Sequence, residues 1–469
     1  MLNPADISFA EHLTRAGIKT RAATSAYLEE LRGRYTGTSE IVALPETTEH
    51  VALIVKLCNE MRVGVVPFGG GTGLVGGQVS PMGPPPLVLS LEKLNRVRTV
   101  HPEENTIIVE AGVTLTSVQQ EAGKVDRLFP LSYASKDSAH IGSALAVNSG
   151  GLNVLRYGTA RDLCLGVEAV LPNGDVLHGL KRLRKDNTGY DIRNLLIGSE
   201  GTLGVITAAA LKLFPRPAHR ATAFIEVASP AAALETLSLF QTHAGEAVTA
   251  FELISGQSFA FLEEAVSETR LPFDTAPNWA ILVELSTGPS VDPDELLATT
   301  YDAAMQRNLV GDARLAQGGQ QSQDFWTVRE SIPEANRRIG AIASHDIALP
   351  LSAVPEFLET ADRQLTTMFP MRINAFGHLG DGNLHYNIFP PKGENKAAYK
   401  DRAAEVTKQI HDLVMERGGS FSAEHGVGRA KTGELLRYGD PAKLTAMRAI
   451  KAALDPNGIM NPGAVLPRK

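Results

Sequence analysis

The chain has 469 residues, 43% of them hydrophobic and 21% charged, and a formal net charge of −7. A chain of that size and balance is globular, long enough for two or three domains, and able to bury a sizeable core. No apolar run approaches the roughly 18 residues that span a bilayer, so no integral membrane protein is expected, and the scattered lysines and arginines make no basic face for nucleic acid.

From the N-terminus, MLNPADISFAEHLTRAG lacks a basic segment followed by an apolar one, so no signal peptide is expected. Cys58 and Cys164 lie in the apolar-rich runs IVKLCNE and DLCLGVEAVL and read as small buried hydrophobes. A disulfide is not expected, and the cytoplasm is the default compartment. The run Val63 to Phe68 predicts a buried strand that empties into GGGTGLVGG, with further short strands over Leu87 to Leu91 and Thr106 to Ala111.

Within the glycine run, Gly71 to Gly76 fits GxGxxG. That motif holds a dinucleotide only when a helix follows, because the helix N-terminus receives the pyrophosphate. Here Pro81, Pro84, Pro85 and Pro86 forbid a helix. Six glycines and a threonine in the nine residues Gly69 to Gly77 still exceed what a turn needs. Consecutive side-chain-free N–H groups make an anion-binding concavity, so a phosphate cradle is the better reading. Two more small-residue segments, His140 to Gly151 and Ile197 to Ile206, point to a long, flat ligand running over backbone.

Phe214-Pro215-Arg216-Pro217 interrupts the pattern and marks a domain boundary. Beyond it come strand, helix (Pro230 to His243) and strand, then strand, helix (Asp292 to Arg307) and strand. Two such units in succession predict a ferredoxin-like antiparallel sheet with helices on one face. Farther on, RINAFGHLGDGNLHYNIF (Arg372 to Phe389) alternates on both sides of Asp381-Gly382, which predicts a β-hairpin with a type I′ turn. Counting outward sets His378 opposite His385, close enough for two imidazoles to share a metal, with Asn387 on the same face. A helical stretch from Lys396 to Arg417 precedes a short strand, Ser420 to Glu424, and then His425 between glycines. Two histidines and one carboxylate leave open positions, as a catalytic zinc site requires, although any single histidine is more often an ordinary core or surface residue.

PFGGGTGLVGG, HIGSALAVNSGGLNVLRYG and LRKDNTGYDIRNLLIGSEGTLGVIT together resemble the FAD domain of the vanillyl-alcohol oxidase (VAO/PCMH) type. From about Val42 to Pro462 the chain is similar to the FAD-linked D-2-hydroxyglutarate dehydrogenase and D-lactate dehydrogenase family. The resemblance implies an α+β chain: a two-subdomain FAD-binding domain over residues 1–217, a ferredoxin-like substrate (cap) domain with a metal site over 218–424, and a C-terminal helical segment, 425–469, returning to the FAD domain. The FAD-binding positions it implies are Pro67, Gly69, Gly70, Gly71, Thr72, Gly73, Leu74 and Gly76 in the first loop. Pro130, Ser138, His140, Ile141, Gly142, Asn148, Gly150, Gly151, Tyr157 and Gly158 follow, then Glu200, Gly201, Val205, Ile206 and Asn461. Because Pro67 to Gly77 contains no His or Cys, non-covalent FAD is expected.

The resemblance also makes His378, His385 and Glu424 ligands of a divalent metal, zinc in the first place, and His425 the general base. Arg329 and Asn387 become substrate-binding residues, with His425 beside them. By itself Arg329 reads as a surface helix arginine. The expected reaction is oxidation of a D-2-hydroxy acid to the 2-oxo acid, with hydride transfer to flavin and metal-assisted deprotonation of the hydroxyl. The electron acceptor would be an electron-transfer flavoprotein, a quinone or a cytochrome, and a homodimer is compatible with the pattern. The chain departs from the hydroxyglutarate pattern at Pro333 and Ser344, where a threonine and a lysine flank the distal carboxylate. Arg337 or Arg338 would compensate unless their helix face is simply solvated. Two other readings compete: a metal-dependent hydrolase, which leaves the phosphate cradle unused, and a non-redox FAD-fold transferase.

Overall fold

The computed structural model describes residues 1–467 and divides into two compact units. The first holds Met1–Gly151, Gly158–Arg216 and Glu424–Lys469; the second holds Leu152–Tyr157 and Pro217–Ala423. The six-residue excursion Leu152–Tyr157 has no signal in the sequence pattern.

In the first unit, β1 (Lys19–Ala22), β2 (Ile41–Leu44), β3 (Val65–Phe68) and β4 (Leu87–Ser90) form a sheet in the order β1-β2-β4-β3. Strands β2, β4 and β3 are parallel, and β1 is antiparallel to β2. A second, antiparallel sheet follows the order β5-β6-β10-β8-β9, built from β5 (Val97–His101), β6 (Thr106–Glu110), β8 (Cys164–Val170), β9 (Val176–Gly179) and β10 (Val205–Lys212). Between these in sequence, β7 (Arg127–Leu128) pairs with β11 (Phe214–Pro215). Helix Thr48–Met61 is capped by Thr47, whose side chain accepts from the His50 N–H. Its buried Val51, Ile54, Val55 and Cys58 follow helical spacing and join the core under β2, β3 and β4. Cys58 is therefore a core hydrophobe.

The second unit is one antiparallel sheet of seven strands. β12 (His219–Val227), β13 (Val248–Ser255), β14 (Trp279–Thr287) and β15 (Val310–Leu315) lie in the order β15-β12-β14-β13, the ferredoxin-like arrangement. Three more strands continue the sheet beyond β13: β17 (Arg372–His378), β18 (Asn383–Phe389) and β16 (Ala343–Ala348). Helices Pro230–Ala244 and Pro293–Gln306 each begin with proline at a first-turn position and a side-chain cap, from Ser229 and Asp292. They share one core with Ile225, Phe251, Leu253 and Ile281. Helices Gly256–Ala265 and Gly319–Ile339 share another with Phe224, Ile254, Leu282 and Phe376. Helices thus cover both faces rather than the one expected, because alternate residues of the central strands are apolar on both sides.

Two local expectations are corrected. Residues Ser420 to Glu424 form no strand; Ser420 makes an isolated bridge to Ala348. The hairpin has Leu379–Asp381 as a 3-10 turn with Gly382 left-handed, and its register pairs Phe376, not His378, with His385. The reason is Gly377: a Cβ there would lie 2.5 Å from the Asn383 carbonyl oxygen, so the strands approach too closely for an ordinary pair. On its other edge β17 pairs with β13 from Phe376 through His378, so His378 keeps a strand partner in Glu252. The slip is two residues, which preserves the face each side chain occupies.

Candidate active site

In the first unit β3 runs directly into the glycine loop, and no helix intervenes before β4. At Gly70 a Cβ would sit 1.8 Å from the Ser138 carbonyl oxygen, so only glycine permits this approach of the two loops. His140 precedes helix Ile141–Val147, and its Nδ1 is buried with no hydrogen-bond partner among the described residues. Burial lowers the ring's pKa, against a smaller upward pull from Glu92. A buried ring nitrogen without a partner, beside a bare glycine loop, fits a polar cofactor.

The C-terminal stretch is stitched into the same unit. Glu200, buried and left-handed at φ 51°, accepts the N–H groups of Val427 at 2.7 Å and Gly428 at 2.8 Å. Burial pushes its carboxyl upward and those two bonds pull it down. Asn461 Nδ2 donates to the carbonyls of Gly77 at 2.9 Å and Glu200 at 2.8 Å. Arg429 Nη1 donates to those of Gly76 and Gly77, both at 3.0 Å. His425 therefore lies in a loop held by Glu200 to the glycine-rich unit. All the FAD positions named above belong to this unit except Tyr157, which falls in the excursion to the second.

In the second unit, strands β13, β17, β18 and β16 bring the other named residues onto one face. Glu252 pairs with His378, Phe376 with His385, and His385 with Asp346. One step along, Asn374 pairs with Asn387, and Asn387 with Ser344. The His378 and His385 rings are 5.8 Å apart at 77°. The two histidines that the sequence count set opposite one another are thus diagonal neighbours.

Glu252 is fully buried and joins two partners. Oε1 lies 2.5 Å from His378 Nδ1 and Oε2 accepts from Arg329 Nε at 2.5 Å. Burial raises its pKa, but Arg329 and His378 outweigh this and hold the carboxyl at about 2. An ionised Glu252 can only accept, so His378 carries its proton on Nδ1 and presents Nε2 on the other side of the ring. Arg329 is 5% exposed and stacks over Phe376 at 4.9 Å, so it is no surface arginine. Seven residues on, Asn336 shares its helix face and accepts from Asn374 Nδ2 at 2.9 Å. Ser255 and Ser258 donate to Asn374 Oδ1 at 3.0 and 2.6 Å, completing a buried polar row behind Asn387.

Asp346, buried across from His385, accepts from Asn383 Nδ2 at 2.9 Å through its side chain and from the Ala423 N–H at 3.2 Å through its carbonyl. Glu424 is one peptide bond beyond that anchored residue. In the first unit, its Oε1 is 3.7 Å from His425 Nε2. Pro333 and Ser344 are exposed. Arg337 and Arg338 both pair with Glu334, and Arg338 also donates to the Ala265 carbonyl, so they form a solvated face. Sequence reasoning missed Glu252 and Asp346. The available signal was a lone acid in each of the strands FELI and HDIA, since an acid in a buried strand needs a partner.

Residues 216–465 match the family of FAD linked oxidases, C-terminal domain, and residues 39–179 match the FAD binding domain family. The chain is 36% identical to the mitochondrial D-2-hydroxyglutarate dehydrogenase of Danio rerio, over 92% of this chain and 79% of the relative. It is 32% identical to D-2-hydroxyglutarate dehydrogenase of Xanthomonas citri pv. viticola, over 99% and 97%. Among solved structures, p-cresol methylhydroxylase superposes with a TM-score of 0.77 at 16% identity, over 100% of this chain and 99% of that one, which shows a shared fold.

The expected cytoplasmic location is corrected by these relatives: the Danio rerio, Arabidopsis thaliana, Bos taurus and Rattus norvegicus proteins are named as mitochondrial. No helix among the described residues is long and apolar enough to cross a membrane.

Proposed function

This chain belongs to the FAD-linked oxidase family, with D-2-hydroxyglutarate dehydrogenases as relatives along its length, and we propose from that premise how its residues divide the work. It is an FAD-dependent dehydrogenase that oxidises a D-2-hydroxy acid. When bound, FAD supplies the acceptor for the hydride that leaves C2. The chain must bind the carboxylate, lower the hydroxyl pKa and take the hydroxyl proton.

In this reading His378, His385 and Glu424 hold one divalent ion, zinc in the first place, which would polarise the hydroxyl as a Lewis acid. His425 accepts the hydroxyl proton. Arg329, with Nε committed to Glu252, offers its terminal nitrogens to the C1 carboxylate. Asn387, backed by the Asn374 row, donates to the substrate. The observation that carries the reading is the braced His378 beside His385 on one polar sheet face. A carboxylate on the far ring nitrogen is the usual support of a metal-binding histidine. Electrons then pass to a separate acceptor: an electron-transfer flavoprotein, a quinone or a cytochrome.

Hydrolysis by a metal-activated water would use the same donor set but leave the glycine cradle and orphaned His140 without a role. The test is an anaerobic mixture of the purified protein with D-2-hydroxyglutarate or D-lactate, with and without chelator. Bleaching that the chelator abolishes supports the reading; bleaching that full metal removal leaves untouched refutes the metal role.

A further inference from the structure

One fully buried carboxylate spends its two oxygens on two groups that the proposed reaction uses separately. Glu252 Oε1 meets His378 Nδ1 and Oε2 meets Arg329 Nε, each at 2.5 Å. We propose that Glu252 is a positioning residue that sets the metal-binding histidine and the carboxylate-binding arginine in one fixed register. The proposal rests on the ligand set and the Arg329 role given above.

A 2-hydroxy acid carries its hydroxyl and its carboxylate on adjacent carbons. The groups receiving them must therefore keep a fixed, short separation, and angular error at either loses the productive pose. His378 comes from β17 and Arg329 from helix Gly319–Ile339, two separate elements of the second unit. A single side chain bonded to both removes that freedom. Only a carboxylate can do this: both partners are N–H donors, and a glutamine in its place would have one acceptor and one donor. Burial makes the arrangement strict, because water cannot replace a lost bond at a residue that is 0% exposed. The residues flanking Glu252 in β13, Phe251 and Leu253, are buried in the core behind the sheet, so neither can substitute.

The test uses the full-length flavin-loaded protein and compares wild type, Glu252→Gln, Arg329→Lys and the double variant Glu252→Gln with Arg329→Gln. After metal removal, zinc affinity is titrated in competition with a chromogenic chelator. KM for D-2-hydroxyglutarate, thermal midpoint and FAD content are measured on the same samples. Glu252→Gln is expected to weaken zinc by about 10- to 100-fold and also to raise KM. Arg329→Lys is expected to raise KM while zinc affinity stays near wild type.

Where Glu252→Gln alone unfolds because it leaves Arg329 unpaired in the interior, the charge-neutral double variant carries the zinc measurement, and the same weakening is expected. Folded Glu252 variants with wild-type zinc affinity would overturn the proposal and leave the ligand set standing. A wild type that binds no zinc would overturn the ligand set itself.

Discussion

Glu252 Oε1 lies 2.5 Å from His378 Nδ1, and the two residues are direct partners across β13 and β17. The bond fixes the imidazole tautomer and turns Nε2 away from the carboxylate. Two of the three proposed metal ligands, His378 and His385, lie on the second unit's sheet, whereas the glycine loop proposed to cradle the flavin is built in the first unit. Exhaustive dialysis against a chelator should therefore abolish turnover while flavin absorbance stays with the protein, and zinc should restore turnover. Full activity in protein shown by elemental analysis to be metal-free would contradict the metal role.

The cofactor should be removable by acid. Pro67 to Gly77 contains no His or Cys for a flavin bond, so trichloroacetic acid should leave the colour in the supernatant and a white pellet. Gly70→Ala should lower flavin occupancy at least tenfold, because its Cβ would need the space of the Ser138 carbonyl; full occupancy with an unchanged spectrum would place the cofactor elsewhere.

Ser344 stands directly across from Asn387, without the ammonium that a second substrate carboxylate would prefer. One charge-assisted hydrogen bond is worth roughly 1.5–3 kcal/mol, which is on the order of ten- to a hundredfold in discrimination. Ser344→Lys should raise the kcat/KM ratio of D-2-hydroxyglutarate over D-lactate by that order. Arg337→Ala and Arg338→Ala should leave the ratio unchanged, since both arginines are engaged by Glu334. Loss of diacid preference in either alanine variant would identify it as the missing cation.

Neither thiol should be available in the folded protein. Cys58 and Cys164 are 0% and 2% exposed. Burial pushes the Cys164 thiol up to about 12, against a smaller opposing pull from Arg193, and Cys58 higher still. An aromatic disulfide reagent at pH 8 should titrate no thiol in native protein and both in guanidinium. Rapid native reaction would show that one of the two core regions opens.

Much of this was readable from residue pattern alone, and the exceptions have physical causes. Prolines after Gly77 excluded a helix, and none forms. The boundary signal at Phe214–Pro217 adjoins the Arg216/Pro217 division between the compact units. Two strand–helix–strand units predicted the ferredoxin-like core, but nothing local announced that β16, β17 and β18 extend the same sheet, because strand pairing across that distance depends on tertiary packing. The hairpin register was misread by two residues: Asp381-Gly382 looks like a two-residue turn, whereas Gly377 diverts the chain one step before His378. A slip of two residues preserves parity, so the two histidine rings still lie on one face, 5.8 Å apart. The lone acid in FELI signals only that Glu252 needs a partner; which partners it has is not legible locally, because they lie 77 and 126 positions away.

The central claim is that this chain oxidises C2 of a D-2-hydroxy acid at a flavin. Stopped-flow flavin absorbance under anaerobic conditions, with D-2-hydroxyglutarate and D-lactate carrying either hydrogen or deuterium at C2, measures that step directly. Bleaching with the D-acid and not its L-enantiomer, slowed several-fold by deuterium, is the expected result. A flavin that remains oxidised with every D-2-hydroxy acid offered, in protein fully loaded with FAD and zinc, would contradict it.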